Sequence, residues 1–236
     1  MPKLRAEVST QRLAGLADAA LRVFCRQGYE RSQVADVARE LGVAVGTVYL
    51  YVEGKEALFD LVVRHSTAPE ASWLADLEVP VRTPEAGSTL AYLKEQFDKV
   101  EWPVLEAAMA SENTDDMSRE LEEVLREQYH LIRKHRDGLL LLMRSALEFP
   151  GLAEVFVFGL RNKLLDHLCE YLQRRIEGGH LAPRDHLRAT CAVVVQSITW
   201  ANLQRPHDPG LADLDDGLME SSTIDLLVRG LISPKP

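Results

Sequence analysis

The 236-residue sequence has few cysteines and no long apolar run. Its cysteines, Cys25, Cys169 and Cys191, are odd in number and widely spaced, so they fit no metal or redox spacing and favour buried free thiols. An apolar stretch from Leu139 is interrupted by Arg144, well short of the ~18 residues that indicate a membrane span. The basic start leads into no apolar segment. We therefore expect a cytoplasmic protein with no membrane partner.

The sequence also lacks the patterns that catalysis requires. None of its seven histidines pairs with another histidine or with a cysteine at metal-ligand spacing. His130 and His135 are five positions apart and would diverge on a helix. No glycine-rich phosphate loop is present. We predict that the protein is not an enzyme and has no metal site and no cofactor.

A positive net charge is missing as well, because the chain carries −9 at pH 7. The deficit is unevenly distributed. Residues 1–65 hold nine Lys and Arg against eight Asp and Glu, a net charge of +1, whereas residues 66–236 hold 18 against 28, a net charge of −10. Any surface that binds a polyanion should therefore lie in the N-terminal quarter, and the acidic remainder would repel DNA.

Apolar spacing predicts an all-α fold. In the first quarter we expect a helix that ends at Gly28, a short helix from an N-cap at Ser32 to Gly42, a third helix over about 44–51 and a fourth from about residue 54. The proline-containing stretch that follows reads as loop or broken helix. Further helices are predicted over 88–111, 117–134, 137–148, 151–178, 184–204 and 217–232. No pattern predicts a pair of strands.

The stretch "LGVAVGTVYLYVEGKEALF" has the plan of a helix-turn-helix, in which a short helix enters the major groove of DNA. Val48 and Val52 are four residues apart and should face a helical core. Small residues and hydroxyl groups then lie on the outward face, where backbone approach to base pairs and hydrogen bonds to phosphates are both feasible. Periodicity alone leaves open that the tyrosines pack inside a helical bundle.

"GVAVGTVYLYVEGKEALF" resembles the signature of the tetracycline-repressor (TetR-type) regulators, and "AALRVFCRQGYERSQVADVARELG" matches the rest of that family's DNA-binding domain. The resemblance covers about residues 10–62. It implies an N-terminal three-helix helix-turn-helix domain, residues 1–65, followed by a larger helical-bundle domain for effector binding and dimerisation, residues 66–236. It also implies a homodimeric transcriptional regulator, usually a repressor, that leaves a palindromic operator in double-stranded DNA when a small molecule binds.

The resemblance assigns DNA contacts residue by residue. It places phosphate contacts at Thr47, Tyr49, Tyr51 and Lys55. It places base contacts at Ala44, Val45, Gly46 and Leu50. Auxiliary contacts fall on Gln33 and Ala35. The matching core positions are Val34, Val37, Leu41, Val48, Val52, Leu58 and Phe59.

Three of these positions depart from the family pattern. The family often has Ser, Lys and Arg where this sequence has Ala44, Val45 and Ala35, so a helix cap worth about 1 kcal/mol and two charges are missing. Base reading would then be mainly apolar, and Val45 or Leu50 could pack on thymine methyl groups. The basic residues Lys3, Arg5 and Arg12 either supply positive charge to the DNA or form an ordinary solvated tail.

For the C-terminal region, the resemblance implies a homodimer through the helices near 184–204 and 217–232. The first of these is broadly apolar, as an interface or a deeply buried helix would be. The effector is a small molecule of unknown identity. Its candidate pocket residues each also fit plain helical core, and they are Phe97, Trp102, Met109, Tyr129, Met143, Arg144, Glu148, Phe156, His167 and Trp200. Arg144 either pairs with Glu148 along one helix or binds an anion.

A second interpretation of the whole chain stays open. We call residues 1–65 the head. The missing basic residues are also expected if the head has lost its DNA-binding function. The protein would then be a dimeric helical ligand-binding or interaction protein with a degenerate head. Retention of the four phosphate-contact positions in this sequence argues against that alternative.

Overall fold

The computed structural model describes residues 2–67, 71–211 and 213–232, and for residues 2–9 and 71 it describes the backbone without the side chains. Within these ranges the chain forms twelve α-helices and no β-sheet, which confirms the all-α prediction. The first four helices are α1 (Pro2–Gln27), α2 (Val34–Leu41), α3 (Val45–Val48) and α4 (Lys55–Thr67). The next four are α5 (Ser88–Asp98), α6 (Pro103–Ala110), α7 (Met117–Lys134) and α8 (Arg136–Ser145). The last four are α9 (Pro150–Ala153), α10 (Asn162–Glu177), α11 (Leu187–Thr199) and α12 (Asp216–Ile232).

The first four helices pack around a common apolar core. The predicted core positions Val48, Val52 and Leu58 are each at most 1% exposed, and Val34 and Val37 are buried with them. Gly28 ends α1 and Gly42 ends α2, both with a positive φ that glycine adopts at little cost. Gly28 and Gly42 thus determine where α1 and α2 end, and α3 begins shortly after Gly42.

The predicted N-cap at Ser32 is wrong. The Ser32 hydroxyl is buried and donates a hydrogen bond of 2.6 Å to the carbonyl oxygen of Gly28, so it holds the turn after α1. The cap of α2 is Gln33, whose backbone N–H donates to Asp36 Oδ2 at 2.9 Å. Ser32 and Gln33 are adjacent, and the burial of Ser32 decides which of them faces the helix end.

Several predicted helix lengths also need correction. The helix expected over 88–111 is two helices, α5 and α6, because Pro103 occupies the first turn of α6 and cannot continue a preceding helix. The helix expected over 151–178 consists of α9, a π-helical segment Glu154–Arg161 and α10. The last turn expected in 184–204 is π-helical from Trp200 to Gln204. The α-helix expected over 44–51 spans Val45–Val48 and continues as a turn.

An extended segment after α4 pairs with the chain that leaves α3. Val81 and Val52 form an isolated parallel bridge, in which the Val81 N–H donates to the Tyr51 carbonyl at 2.7 Å and the Glu53 N–H donates to the Val81 carbonyl at 2.9 Å. The sequence predicts loop or broken helix here, and a 3₁₀-helical stretch, Ala71–Asp76, precedes the bridge. We name residues 81–83 the strap.

The contacts of the chain divide it into two compact units. The first comprises residues up to Lys99 together with Asp137–Val157, and the second comprises Val100–Arg136 with the residues from Phe158 onward. The predicted boundary after residue 65 divides a DNA-binding domain from an effector-binding and dimerisation domain. It stays a prediction. In the described ranges, no helix combines the length and the apolar character needed to cross a membrane.

Candidate nucleic-acid interface

The surface that the sequence assigns to DNA, formed by α3 and the turn after it, is exposed. Val45 is 41% exposed, Leu50 is 67% exposed and Tyr49 is 48% exposed, whereas Val48 is buried beneath them. Ala44 and Gly46 are exposed as well, and a Cβ atom added to Gly46 would meet no atom within 4 Å. Apolar side chains beside small residues can contact the edges of base pairs, including the methyl group of thymine.

The start of α3 lacks a side-chain cap, as predicted from Ala44. Ala44 is its N-cap residue, and no side chain caps the helix. The Thr47 N–H donates to the Ala44 carbonyl at 2.9 Å, so the first turn is held by backbone hydrogen bonds. Thr47 itself is half-buried.

The predicted phosphate contacts Tyr51 and Lys55 are half-buried and have partners in the structure. Arg12 Nη1 donates to the Tyr51 hydroxyl at 3.1 Å, which brings a cation from α1 to this surface. Lys55 Nζ donates to the Glu30 carbonyl at 3.0 Å and lies 4.2 Å from the centroid of the Tyr29 ring. Both side chains are therefore held in place before any DNA binds. The side chains of Lys3 and Arg5 lie outside the described part.

The auxiliary residues lie at the start of α2. Gln33 is exposed and Ala35 is half-buried. On the same short helix, Glu40 binds two arginines of α1, with Arg26 Nη2 at 2.6 Å and Arg22 Nε at 2.8 Å. These hydrogen bonds lower the pKa of Glu40 to about 2. Arg22 and Arg26 are thereby engaged within the protein and do not compensate for the arginine missing at Ala35.

Four aromatic rings form a cluster that includes Tyr29, the ring on which Lys55 packs. Tyr29 packs edge-on against Phe59, with centroids 4.7 Å apart, and against Phe149, with centroids 5.0 Å apart. Phe24 completes the cluster, 5.6 Å from Phe59. Phe149 is the one ring of these four that lies in the segment after α8. The other three lie in the first four helices or in the turn between α1 and α2.

Glu148, next to Phe149, holds the turn between α1 and α2. Its Oε2 accepts a hydrogen bond of 2.8 Å from the Glu30 N–H. A Cβ atom added to Gly28 would lie 2.7 Å from Glu148 Oε1, so the carboxylate rests directly on that glycine. The ion pair of Glu148 with Arg144 that helical spacing would allow does not form, because α8 ends at Ser145 and turns Glu148 towards Glu30. Arg144 is exposed.

The remaining pocket candidates fall into small groups. Phe97 contacts Phe156, with ring centroids 6.4 Å apart. Trp102 contacts His167 edge-on at 5.3 Å, and the Trp102 Nε1 and His167 Nδ1 atoms are buried without a hydrogen-bond partner among the described residues. Tyr129 is buried, and Met109 and Met143 are half-buried. The structure thus joins four of the ten candidates into two contacting pairs.

Trp200 belongs to a different feature. It lines an open apolar groove along α11 and α12 with Val193, Met219, Leu226 and Leu227. Leu218, Val193 and Leu226 on these helices are more than 60% exposed. The groove lies on the helices for which dimerisation is predicted.

Sequence reasoning missed the strap and its connection to α3. The signal available was the proline content between α4 and α5, which indicates irregular chain but not what that chain pairs with. Arg82 in the strap is exposed next to the predicted phosphate contacts.

The fold and this surface define a helix-turn-helix protein with an all-helical C-terminal region. Residues 16–62 match the family described as "Bacterial regulatory proteins, tetR family". This part of the chain thus matches the family whose signature the sequence around α3 resembles.

Curated relatives match the N-terminal part. The "Fatty acid metabolism regulator protein" of Bacillus subtilis (strain 168) is 49% identical over 41 residues, which is 17% of this chain and 21% of that protein. The "Uncharacterized HTH-type transcriptional regulator YfiR" of the same organism is 37% identical over 62 residues, 26% of this chain and 30% of that protein. The chain therefore matches less than a third of the length of either relative.

Among solved structures, the "ketosteroid transcriptional regulator KstR2 of Mycobacterium tuberculosis" is similar in fold. It has a TM-score of 0.54 and 16% identity, and the alignment covers 94% of this chain and 96% of that chain. At this identity the similarity concerns the fold. It extends over nearly the whole chain and so includes the helices after α4.

Proposed function

We propose that the protein is a ligand-responsive transcriptional repressor. It acts by binding and not by catalysis, in the cytoplasm, and it holds a palindromic operator in double-stranded DNA as a homodimer until a small molecule releases it. Residues 1–65 bind DNA, and residues 66–236 bind the effector and dimerise.

The observation that carries this proposal is the exposed surface formed by α3 and the turn that follows it. Val45 and Leu50 are exposed although both are apolar, and the backbone at Ala44 and Gly46 is open to close approach. Such a face suits the major groove, where thymine offers a methyl group. The proposal therefore includes thymines near the centre of each half-site, and replacement of these thymines by uracil should weaken binding.

Dimerisation follows from the size of α3. A single helix of four residues, Val45–Val48, can read few base pairs, whereas two copies one DNA turn apart read a palindrome. The groove on α11 and α12 leaves apolar surface in water that a second copy would cover. These two helices correspond to the predicted ranges 184–204 and 217–232.

For the effector we propose a site among the candidate residues, with the buried Trp102 and the half-buried His167 foremost. Their two unpartnered ring nitrogens are groups that a bound molecule could satisfy, and burial without a partner costs ~1–3 kcal/mol per group. A mostly apolar molecule with at least one hydrogen-bonding group fits this chemistry.

The experiment is selection of bound sequences from a random double-stranded DNA pool, with Lys55→Ala in parallel. We expect a palindrome to be enriched, and we expect Lys55→Ala to weaken binding about equally for all sequences and to reduce its salt dependence. If neither enrichment nor salt-dependent binding occurs, the repressor proposal fails. The dimeric binding protein with a degenerate head then takes its place.

A further inference from the structure

We propose that Arg82 in the strap binds a phosphate of the DNA backbone and so adds a contact outside the helix-turn-helix. This inference rests on the proposed DNA-binding function. It concerns a residue more than 25 positions beyond Lys55, the last of the predicted contacts.

The strap is fixed to the DNA-facing part of the chain by three hydrogen bonds. Val81 exchanges two of them with the backbone of Tyr51 and Glu53, and the Thr83 N–H donates to Glu53 Oε2 at 2.8 Å. Arg82 lies between these two attachment points. Adjacent paired segments run about 4.8 Å apart, so its backbone follows that of Tyr51 and Glu53 closely.

The Arg82 side chain is directed away from the core. Successive residues of extended chain point to opposite sides, and the half-buried Val81 is the member of the pair that packs inward. Arg82 is exposed, and its guanidinium makes no hydrogen bond or ion pair with any residue that the structure describes. A guanidinium placed in this way is free to take a phosphate in bidentate geometry.

The acidic side chains near the strap do not occupy this position. The carboxylate of Glu53 is hydrogen-bonded to the strap, because its Oε2 atom accepts the hydrogen bond of the Thr83 N–H. Glu78 and Glu85 are exposed and lie outside the hydrogen-bonded stretch, four and three residues from Arg82. Within the strap itself, residues 81–83, Arg82 is the one ionisable residue.

The contact would also explain how a head with few cations binds a polyanion. Val45 and Ala35 carry no charge, and Arg22 and Arg26 bind Glu40. DNA carries a phosphate charge about every 1.7 Å of its axis, so an arginine beside Tyr51 would meet a phosphate adjacent to the one that Tyr51 contacts. The strap thus supplies a charge that the short helices lack.

The test measures affinity for the selected operator as a function of salt, for the full-length dimer. The variants are Arg82→Ala and Arg82→Gln, with Arg82→Lys to restore a point charge. The control is Arg161→Ala, which removes an exposed arginine from the π-helical segment before α10. Circular dichroism and thermal unfolding establish that each variant folds, as expected for a change at an exposed side chain.

We expect Arg82→Ala and Arg82→Gln to weaken binding about equally for all sequences, and to reduce the slope of log K against log salt by about 1 per subunit. Arg82→Lys should restore most of that slope. Ethylation of operator phosphates should then interfere at one position fewer per half-site than for the unaltered protein.

Three results would overturn the inference. Arg82→Ala could behave like Arg161→Ala, which leaves the repressor proposal intact. It could change base preference at an unchanged salt slope, which would make Arg82 a base contact. The unaltered protein could select no operator at all, and the repressor proposal would then fail together with the inference.

Discussion

Glu148 and Glu30 are 118 residues apart in sequence, and the Glu148 carboxylate accepts a hydrogen bond of 2.8 Å from the Glu30 N–H. The Glu30 carbonyl in turn accepts the hydrogen bond of Lys55 Nζ at 3.0 Å. One backbone residue thus connects the segment after α8 with a predicted phosphate contact. Glu148 is a support for the head in this structure.

Replacement of Glu148 by alanine should destabilise the protein by about 1–3 kcal/mol, because the Glu30 N–H loses a charged acceptor. Glu148→Gln should cost less, since its side-chain oxygen can still accept. Urea unfolding monitored by circular dichroism measures both. Glu154→Ala, at an exposed glutamate in the same compact unit, is the matched control and should change stability by less than about 0.5 kcal/mol. Equal effects at Glu148 and Glu154 would contradict this support role.

Gly28→Ala and Gly46→Ala should have opposite consequences. Gly28 has a φ of +79° and the new Cβ would meet Glu148 at 2.7 Å, so we expect a loss of at least ~1 kcal/mol of stability. Gly46 lies in α3 with open space around it, so alanine should leave stability unchanged or raise it by about 0.5 kcal/mol.

If Gly46 faces base pairs, Gly46→Ala should also weaken operator binding. Thermal unfolding and operator titration of both variants decide, and unimpaired binding by Gly46→Ala would remove Gly46 from the contact surface.

Leu226→Glu should convert the proposed dimer into a monomer. Leu226 lines the groove on α11 and α12 and is 72% exposed in the single chain, so a charge there would be desolvated in a dimer. Light scattering coupled to gel filtration gives the mass. Leu147→Glu is the control, because Leu147 is 88% exposed and lies outside the groove. A monomeric unaltered protein, or a dimeric Leu226→Glu variant, would exclude this interface.

Stability should depend on pH through Glu220. Burial opposes its ionisation, but the hydrogen bond and charge of His130 at 2.8 Å, together with Arg133 and Arg126, outweigh burial and lower the pKa of Glu220. A lowered pKa in the folded state stabilises the protein above the unfolded pKa of about 4.3, and this stabilisation is lost as the pH falls through the folded pKa.

Glu220→Gln should therefore cost about 1–3 kcal/mol at neutral pH and progressively less as the pH falls below the unfolded pKa of a glutamate. Urea midpoints at several pH values measure the difference. Glu123→Gln is the matched control, since Glu123 pairs with Arg119 of the same helix at an exposed site and should matter little at any pH. A cost for Glu220→Gln that is the same at every pH would show that packing, and not charge, is lost.

The sequence allowed the head to be predicted because its determinants are local. The burial of Val48 and Val52 follows from helical spacing, and the ends of α1 and α2 follow from Gly28 and Gly42. The prediction at Ser32 is wrong because two adjacent residues could both cap, and tertiary burial chose between them. The break before α6 was readable at Pro103, which apolar periodicity over 88–111 does not take into account.

Contacts between distant parts of the chain could not be predicted in this way. The bridge between Val52 and Val81 depends on backbone hydrogen bonds that carry no residue pattern. The position of Glu148 depends on where α8 ends, and a continued helix would have placed it near Arg144 instead. Most of the candidate pocket residues are apolar or aromatic members of helical stripes, a property that Trp200 in a surface groove and Trp102 in the interior share.

The head is assembled from separate stretches of the chain, and this limits how it can be used in protein engineering. A fragment that stops after residue 65 would lack Val81, Glu148 and Phe149, and would leave the rings of Tyr29 and Phe59 without one of their neighbours. Transplanting the proposed DNA-binding module onto another effector-binding domain therefore requires the strap and the segment after α8 to be included. The helical signature is continuous in sequence, but the unit that folds around it is discontinuous.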